Sequence, residues 1–193
     1  MPKRSFGENK TKFIMELTAI LATTPSGGIG KDGKLLFRDK QDMKLFRAKT
    51  MNTVVVAGRK TFEETGVLKG RINIVVSSSI KNAPFGDDKK EIYVSSINDA
   101  IRCIRANKQQ FKASLGVEKL KVFVIGGQSI YEQLFSRCRY VYHSRFLKEC
   151  DYDRSVDIPS YFDKKYCDTT YDNFDFIIYK NQKLKKAPQC GVF

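Results

Sequence analysis

The chain has no tryptophan and a single histidine, His143, among its 193 residues. One imidazole cannot build the His-rich clusters that hold most catalytic transition metals, so no metal centre is expected. His143 itself reads as a strand histidine facing solvent or a neighbour. Cysteines are few and scattered: Cys103, Cys138, Cys150, Cys167 and Cys190 are odd in number and include no C-x-x-C pair. That spacing argues against a disulfide framework or a zinc site, and predicts reduced thiols in a cytoplasmic protein. No uninterrupted apolar run approaches the ~20 residues that a bilayer-spanning helix needs. Met1 to Lys12 lacks the apolar centre of a signal peptide.

Acidic side chains are the other shortage. Against 35 Lys and Arg stand 21 Asp and Glu, a formal charge of +14. Such a field favours anionic ligands. The cations are spread over both termini and Arg102 to Lys121, not interleaved with exposed aromatics along one basic helix. Nucleic-acid binding is therefore not predicted.

With 41% hydrophobic residues the chain suits one globular domain. We expect a flexible basic extension over residues 1–14, a domain over 15–182 and a tail over 183–193. Leu17 to Ala22, Asn52 to Ala57, Ile72 to Ser77, Glu91 to Ser95 and Lys121 to Ile125 read as strands, the apolar runs among them buried. Helical spacing covers Asp39 to Lys49, with Met43, Phe46 and Ala48 on an apolar side. Shorter helices are expected at Thr61 to Thr65, from the capping box Ser96-Ile97-Asn98-Asp99 through Ile104, and at Ser129 to Phe135. Tyr140 to Phe146 and Phe174 to Lys180 look like late, antiparallel strands at one edge. The alternation predicts an α/β fold around a mostly parallel sheet. Thr23 to Lys34, with four glycines and Pro25, reads as a loop able to move.

Two buried strands end in glycine and open a helix, at Val56-Ala57-Gly58-Arg59-Lys60-Thr61 and Val124-Ile125-Gly126-Gly127-Gln128-Ser129. Each could be an ordinary turn. Neither reads as a phosphate loop of the Walker type or as G-x-G-x-x-G. Side by side at the carboxyl edge of one sheet, they would suit a dinucleotide pyrophosphate. Arg59 and Lys60 would then favour a ribose carrying a 2′-phosphate, as in NADPH.

Asp39 and Asp42 fall in the first turn of a helix, where carboxylates serve as caps. Asp42 also shares a face with Phe46, four residues on, and could accept paired hydrogen bonds from a flat N–H edge. Arg71 could be a solvated edge residue or could hold a carboxylate. Thr50 could be a structural hydroxyl, and Tyr131 could be core.

Taken in order, these motifs resemble dihydrofolate reductase across roughly Leu17 to Lys180. The matching residues are Ile29-Gly30; Asp42 with Phe46 and Thr50 at +4 and +8; and Val56 to Phe62. Gly70-Arg71-Ile72-Asn73-Ile74-Val75-Val76-Ser77 and Val124 to Tyr131 complete the series. The resemblance implies a single-domain fold of that kind and NADPH-dependent reduction of 7,8-dihydrofolate to tetrahydrofolate. Hydride goes to C6 and a proton, drawn from water, to N5. It implies Asp42 as the one active-site acid, contacting N3 and the 2-amino group of the pterin, with Phe37 and Ser144 beside it. The substrate wall would comprise Thr18, Ala19, Leu35, Met43, Phe46, Thr65, Leu68, Ile125 and Tyr131, with Arg71 on the α-carboxylate of the glutamate tail.

For NADPH the resemblance implies Ile20, Ile29, Gly30, Gly58, Arg59, Lys60, Thr61, Ser77 and Ser78. Ile125, Gly126, Gly127, Gln128, Ser129, Ile130 and Tyr131 complete the cofactor set, with a cis peptide at the glycine pair. Pro25 to Phe37 would be a lid. Antifolates such as methotrexate are expected ligands, and a monomer is expected. One departure stands out: Leu35-Leu36-Phe37 occupies the place of the family's Leu-Pro-Trp, keeping an aromatic wall without an indole N–H. Arg105 to Lys119 is longer than compact relatives require. A related reductase of a riboflavin-pathway pyrimidine is the alternative reading, disfavoured by the Asp42–Phe46–Thr50 series and Arg71.

Overall fold

The computed structural model describes residues 15–79 and 91–184. The expected N-terminal extension and residues 185–193 of the expected tail lie outside them. In chain order the strands and helices are β1 (Leu17–Thr23), β2 (Gly28–Lys31), β3 (Lys34–Leu35), α1 (Lys40–Thr50), β4 (Val54–Gly58), α2 (Arg59–Thr65), β5 (Ile72–Val76) and β6 (Glu91–Val94). There follow α3 (Ile97–Ala106), α4 (Lys108–Leu115), β7 (Val122–Gly126), α5 (Gln128–Leu134), β8 (Cys138–Phe146), β9 (Arg154–Ser155), β10 (Lys164–Thr170) and β11 (Phe174–Lys180).

Eight strands form one sheet in the order β10-β11-β8-β1-β7-β4-β5-β6. The pairs from β8 to β6 are parallel, and β11 runs against both β8 and β10. This is the mostly parallel sheet with a reversed C-terminal edge expected above. Successive side chains on a strand point to opposite faces, and the core divides accordingly. Leu17, Ala19, Leu21, Val54, Val56, Val122 and Val124 join α3, α4 and α5 in the main core, while Ile20, Val55 and Phe123 form a second cluster on the other face. Phe46 of α1, Leu68 and Ile125 pack against that second cluster. Both faces are covered, hence the uninterrupted β-branched run in β4.

Three segments differ from expectation. Thr23 to Lys34 is not a simple loop: β2 and β3 pair as a hairpin whose turn, Asp32 and Gly33, has φ of 50° and 75°. Asp-Gly between short strands favours that two-residue turn, because both central residues take positive φ. Strand β9 then pairs with β2 to make a second, three-stranded sheet. Arg105 to Lys119 also has a role. It carries α4, whose Phe111 is wholly buried in the main core. Finally, β10 has no counterpart in the sequence reading. Its lysines and aspartate resemble a loop, whereas charge on an edge strand discourages pairing with another chain.

Candidate active site

The site lies on the α1 face of the sheet, and its two carboxylates have different tasks. Asp39 is the cap. Its Oδ1 accepts the N–H groups of Gln41 (2.8 Å) and Asp42 (3.0 Å), and Asn173 Nδ2 donates to Oδ2 at 2.9 Å. Those bonds hold its carboxyl below the usual range.

Asp42 is half-buried and accepts the Ser144 hydroxyl, from β8, at 2.6 Å on Oδ1. Burial raises its proton affinity; the Ser144 bond opposes this and the nearby Asp39 adds to it. Among the described residues no cation pairs with Asp42.

At the other end of α1 stands the complementary group. Arg71 is 7% exposed. Its Nη1 donates to Thr50 Oγ1 at 2.9 Å, and Nε and Nη2 donate to the Lys69 carbonyl at 3.2 Å. Thr50 in turn donates to Phe46 O at 2.8 Å. The solvated-edge reading of Arg71 is set aside. Burial, then the charge of Arg47, lowers its pKa, and among the described residues no carboxylate neutralises it. Asp42, Phe46 and Thr50 fall at i, i+4 and i+8, one stripe of the helix. At 1.5 Å per residue the acid and the guanidinium's anchor are about 12 Å apart along the axis.

Between them lie Phe46, Leu68 and Ile125 against Ile20 and Phe123. Thr18 shares that face by alternation. Thr65, half-buried, donates to Thr61 O at 3.0 Å. Ala19 does not join them: it is 0% exposed in the main core, on the opposite face. Met43 and Leu35 are 60% and 53% exposed. Met43 follows Asp42 directly, so helical geometry turns it about 100° away. Ala48 is also exposed, so the apolar side expected for α1 reduces to Leu45 and Phe46. Phe37 stacks on Phe146 with centroids 3.8 Å apart and planes 4° from parallel, an aromatic wall at the start of α1.

The two glycine turns are neighbours, with Ala57 of β4 paired to Gly126 of β7. The peptide joining Gly126 to Gly127 is cis, and Gly126 has φ 109°. A Cβ on Gly126 would lie 2.9 Å from the Tyr131 ring; one on Gly127 would meet Thr61 Oγ1 at 3.1 Å, and one on Gly58 would meet Ile130 at 3.2 Å. The two turns thus touch, and side chains there would close the approach to their backbones.

Tyr131 and Ile130 are core residues, 5% and 7% exposed. The Tyr131 hydroxyl donates to Ile20 O at 2.7 Å, so it braces β1 against α5. Gln128 bonds Glu132, and Ser129 bonds Gln133, each within its own helix. Arg59 Nη1 donates to Ser79 Oγ at 3.2 Å, and Ser79 Oγ lies 3.1 Å from Ser77 Oγ. Ser78 and Lys60 are exposed beside them. A guanidinium among hydroxyls is a donor set that fits a phosphate monoester. Ile29 turns toward the main core, and Gly30 O accepts Asp153 N–H.

Several supporting residues escaped the sequence reading. Asn73, 2% exposed, accepts Leu68 N–H and donates to Leu68 O and Arg71 O, fixing the Leu68–Arg71 loop. An amide inside the apolar run Ile72 to Val76 was the available signal. The hairpin is held by an acidic segment: Glu149 accepts Ser26 N–H and Oγ–H, Lys31 pairs with Asp151, and Asp153 accepts Asp32 N–H. The alternating acids of Glu149-Cys150-Asp151-Tyr152-Asp153 were its trace. His143 is buried, with Nε2 2.9 Å from Thr23 Oγ1 and Nδ1 without a partner.

Among the described residues no cluster of His, Cys, Asp and Glu could hold a metal ion, and no helix is long and apolar enough to cross a membrane. Residues 16–182 match the dihydrofolate reductase family. The chain is 35% identical over 149 residues to the type 9 dihydrofolate reductase of Escherichia coli, covering 75% of this chain and 78% of that one. It is 31% identical over 186 residues to the Schistosoma mansoni enzyme, covering 90% and 84%. It is also 31% identical over 172 residues to the bifunctional dihydrofolate reductase-thymidylate synthase of Glycine max, covering 83% of this chain and 29% of that longer protein. The riboflavin-pathway reading gains no support from these comparisons. The chain belongs to the dihydrofolate reductase family, oxidoreductases that convert dihydrofolate to tetrahydrofolate for one-carbon metabolism.

Proposed function

We propose that this chain reduces dihydrofolate with NADPH, with Asp42 binding the pterin and Arg71 the glutamate tail. One observation carries the reading. A half-buried carboxylate with no cation among the described residues stands at one end of a helical stripe, and a buried guanidinium with no acid among them is anchored at the other. Each lone charge is costly in the free protein, and each is relieved by a ligand with an N–H edge at one end and a carboxylate at the other. Dihydrofolate has that polarity.

In this reading Asp42 accepts the pterin N3–H and 2-amino N–H together, and Ser144 fixes the rotamer that aims its free lone pairs. Phe46, Leu68, Ile125 and Ile20 exclude water from the ring system, which strengthens that pairing. Phe37, with no N–H, walls the side where water delivers the proton to N5. Arg71 binds the tail as a planar fork, pre-set by Thr50 and the Lys69 carbonyl. The backbones at Gly58, Gly126 and Gly127, with Thr61, would hold the pyrophosphate of NADPH. Arg59, Ser77 and Ser78 would hold its 2′-phosphate. When bound, that cofactor supplies the hydride.

A monomer that binds methotrexate in the same groove belongs to this proposal. A reducing, cytoplasmic setting does too, supported by the free thiols of Cys103, Cys138 and Cys150. The test follows NADPH absorbance. Consumption should require dihydrofolate, stop with methotrexate and not occur with a ribitylamino-pyrimidine phosphate. Consumption with the pyrimidine alone would overturn the reading.

A further inference from the structure

The NADPH reading gives Arg59 the 2′-phosphate, yet Arg59 already has an anion of its own. Its Nε lies 3.3 Å from Glu63 Oε1, one helical turn further along α2. Its Nη1 is on Ser79, which neighbours Ser77. Both members of the ion pair are open to water, with side chains 46% and 61% exposed. The guanidinium therefore presents one nitrogen to the Ser79 hydroxyl and another to a carboxylate.

We infer that Glu63 is a specificity-determining residue: an internal competitor that lowers this enzyme's preference for the 2′-phosphorylated dinucleotide. A phosphate approaching Arg59 has to displace the carboxylate from Nε, or share the cation with a like charge close by. An unphosphorylated ribose meets no such competition. The pair is exposed and hence weak, worth a fraction of the cation's full attraction, so it erodes the preference without abolishing it. The pair is an i,i+4 contact within α2, whose start at Gly58 has no side-chain cap. Glu63 stands apart from Glu64, which pairs with Arg38 instead.

This inference rests on the NADPH assignment, and the experiment separates the two. Glu63→Gln keeps the shape and removes the charge. Calorimetric titration of the apo-protein should show Kd for NADPH falling about two- to fivefold, the range set by exposed ion pairs. Kd for NADH should stay constant, and the same split should appear in KM more than in kcat. In an Arg59→Gln background the same substitution should gain less, because there is no cation left to release. Unchanged NADPH binding by Glu63→Gln would overturn the inference, and weaker binding would overturn it by showing that Glu63 orders Arg59 for the phosphate instead. A parent protein that binds NADH but not NADPH would sink the cofactor assignment itself, and the inference with it.

Discussion

The Ser144 hydroxyl donates to Asp42 Oδ1 across 2.6 Å, joining the middle of the sheet to the first turn of α1. The bond opposes the rise in proton affinity that burial imposes on Asp42. Replacing Ser144 by Ala removes the opposing influence, so Asp42 holds its proton to higher pH. The acidic limb of the kcat/KM profile should move upward, with a stability loss of about 1–2 kcal/mol. A limb in its original place would show that Asp42 does not control that limb.

Asp42 is also a stability liability. A carboxyl whose folded pKa is raised above the ordinary 3.8 favours the fold when protonated and disfavours it when ionised. Asp42→Asn should therefore melt at or above the parent temperature at pH 7. The gap should close as the pH falls through the carboxylate range. Thermal unfolding at pH 7 and pH 4 checks the sign.

Arg71 is expected to separate binding from folding. Arg71→Leu removes a buried cation that no carboxylate among the described residues neutralises and so should cost little stability, while KM for dihydrofolate should rise about tenfold to a hundredfold. The rise should shrink for a substrate analogue lacking the glutamate. Equal KM effects on both substrates would remove Arg71 from the tail site.

His143 has the opposite sign from Asp42. Burial, aided by Arg145, pushes its pKa down from 6.5 to about 4. The folded protein therefore keeps it neutral while the unfolded chain takes up a proton. Stability from this group is present above pH 6.5 and is lost as the pH falls toward 4, by up to roughly 3 kcal/mol. Denaturant unfolding of His143→Leu should show a shallower decline over that window.

Phe111 tests α4 apart from the chemistry. It has no exposed surface, so Phe111→Ala should cost about 3–5 kcal/mol through loss of packing, without moving KM for either ligand.

Legibility in the sequence follows physical pattern. The β-branched runs of β4 and β5 announced buried parallel strands, because both faces needed apolar cover. Ser96 and Asp99 announced α3, and Ser96 does cap it. The polar strand β10 and the two-residue β9 carry no such period, since their pairing depends on neighbours distant in sequence. At the site, Asp42, Phe46 and Thr50 were legible as one stripe. The division of labour between Asp39 and Asp42 was not, because it depends on Asn173 and Ser144, more than a hundred residues away. Ala19 was misplaced for a simpler reason: it neighbours Thr18 and Ile20 in sequence but points through the sheet.

Turnover of Asp42→Asn at pH 7, beside its affinity for NADPH, tests the central claim most directly. The account predicts dihydrofolate reduction at least about 10²-fold slower than the parent, with NADPH Kd unchanged, since no cofactor contact is assigned to Asp42. Reduction at the parental rate would contradict it.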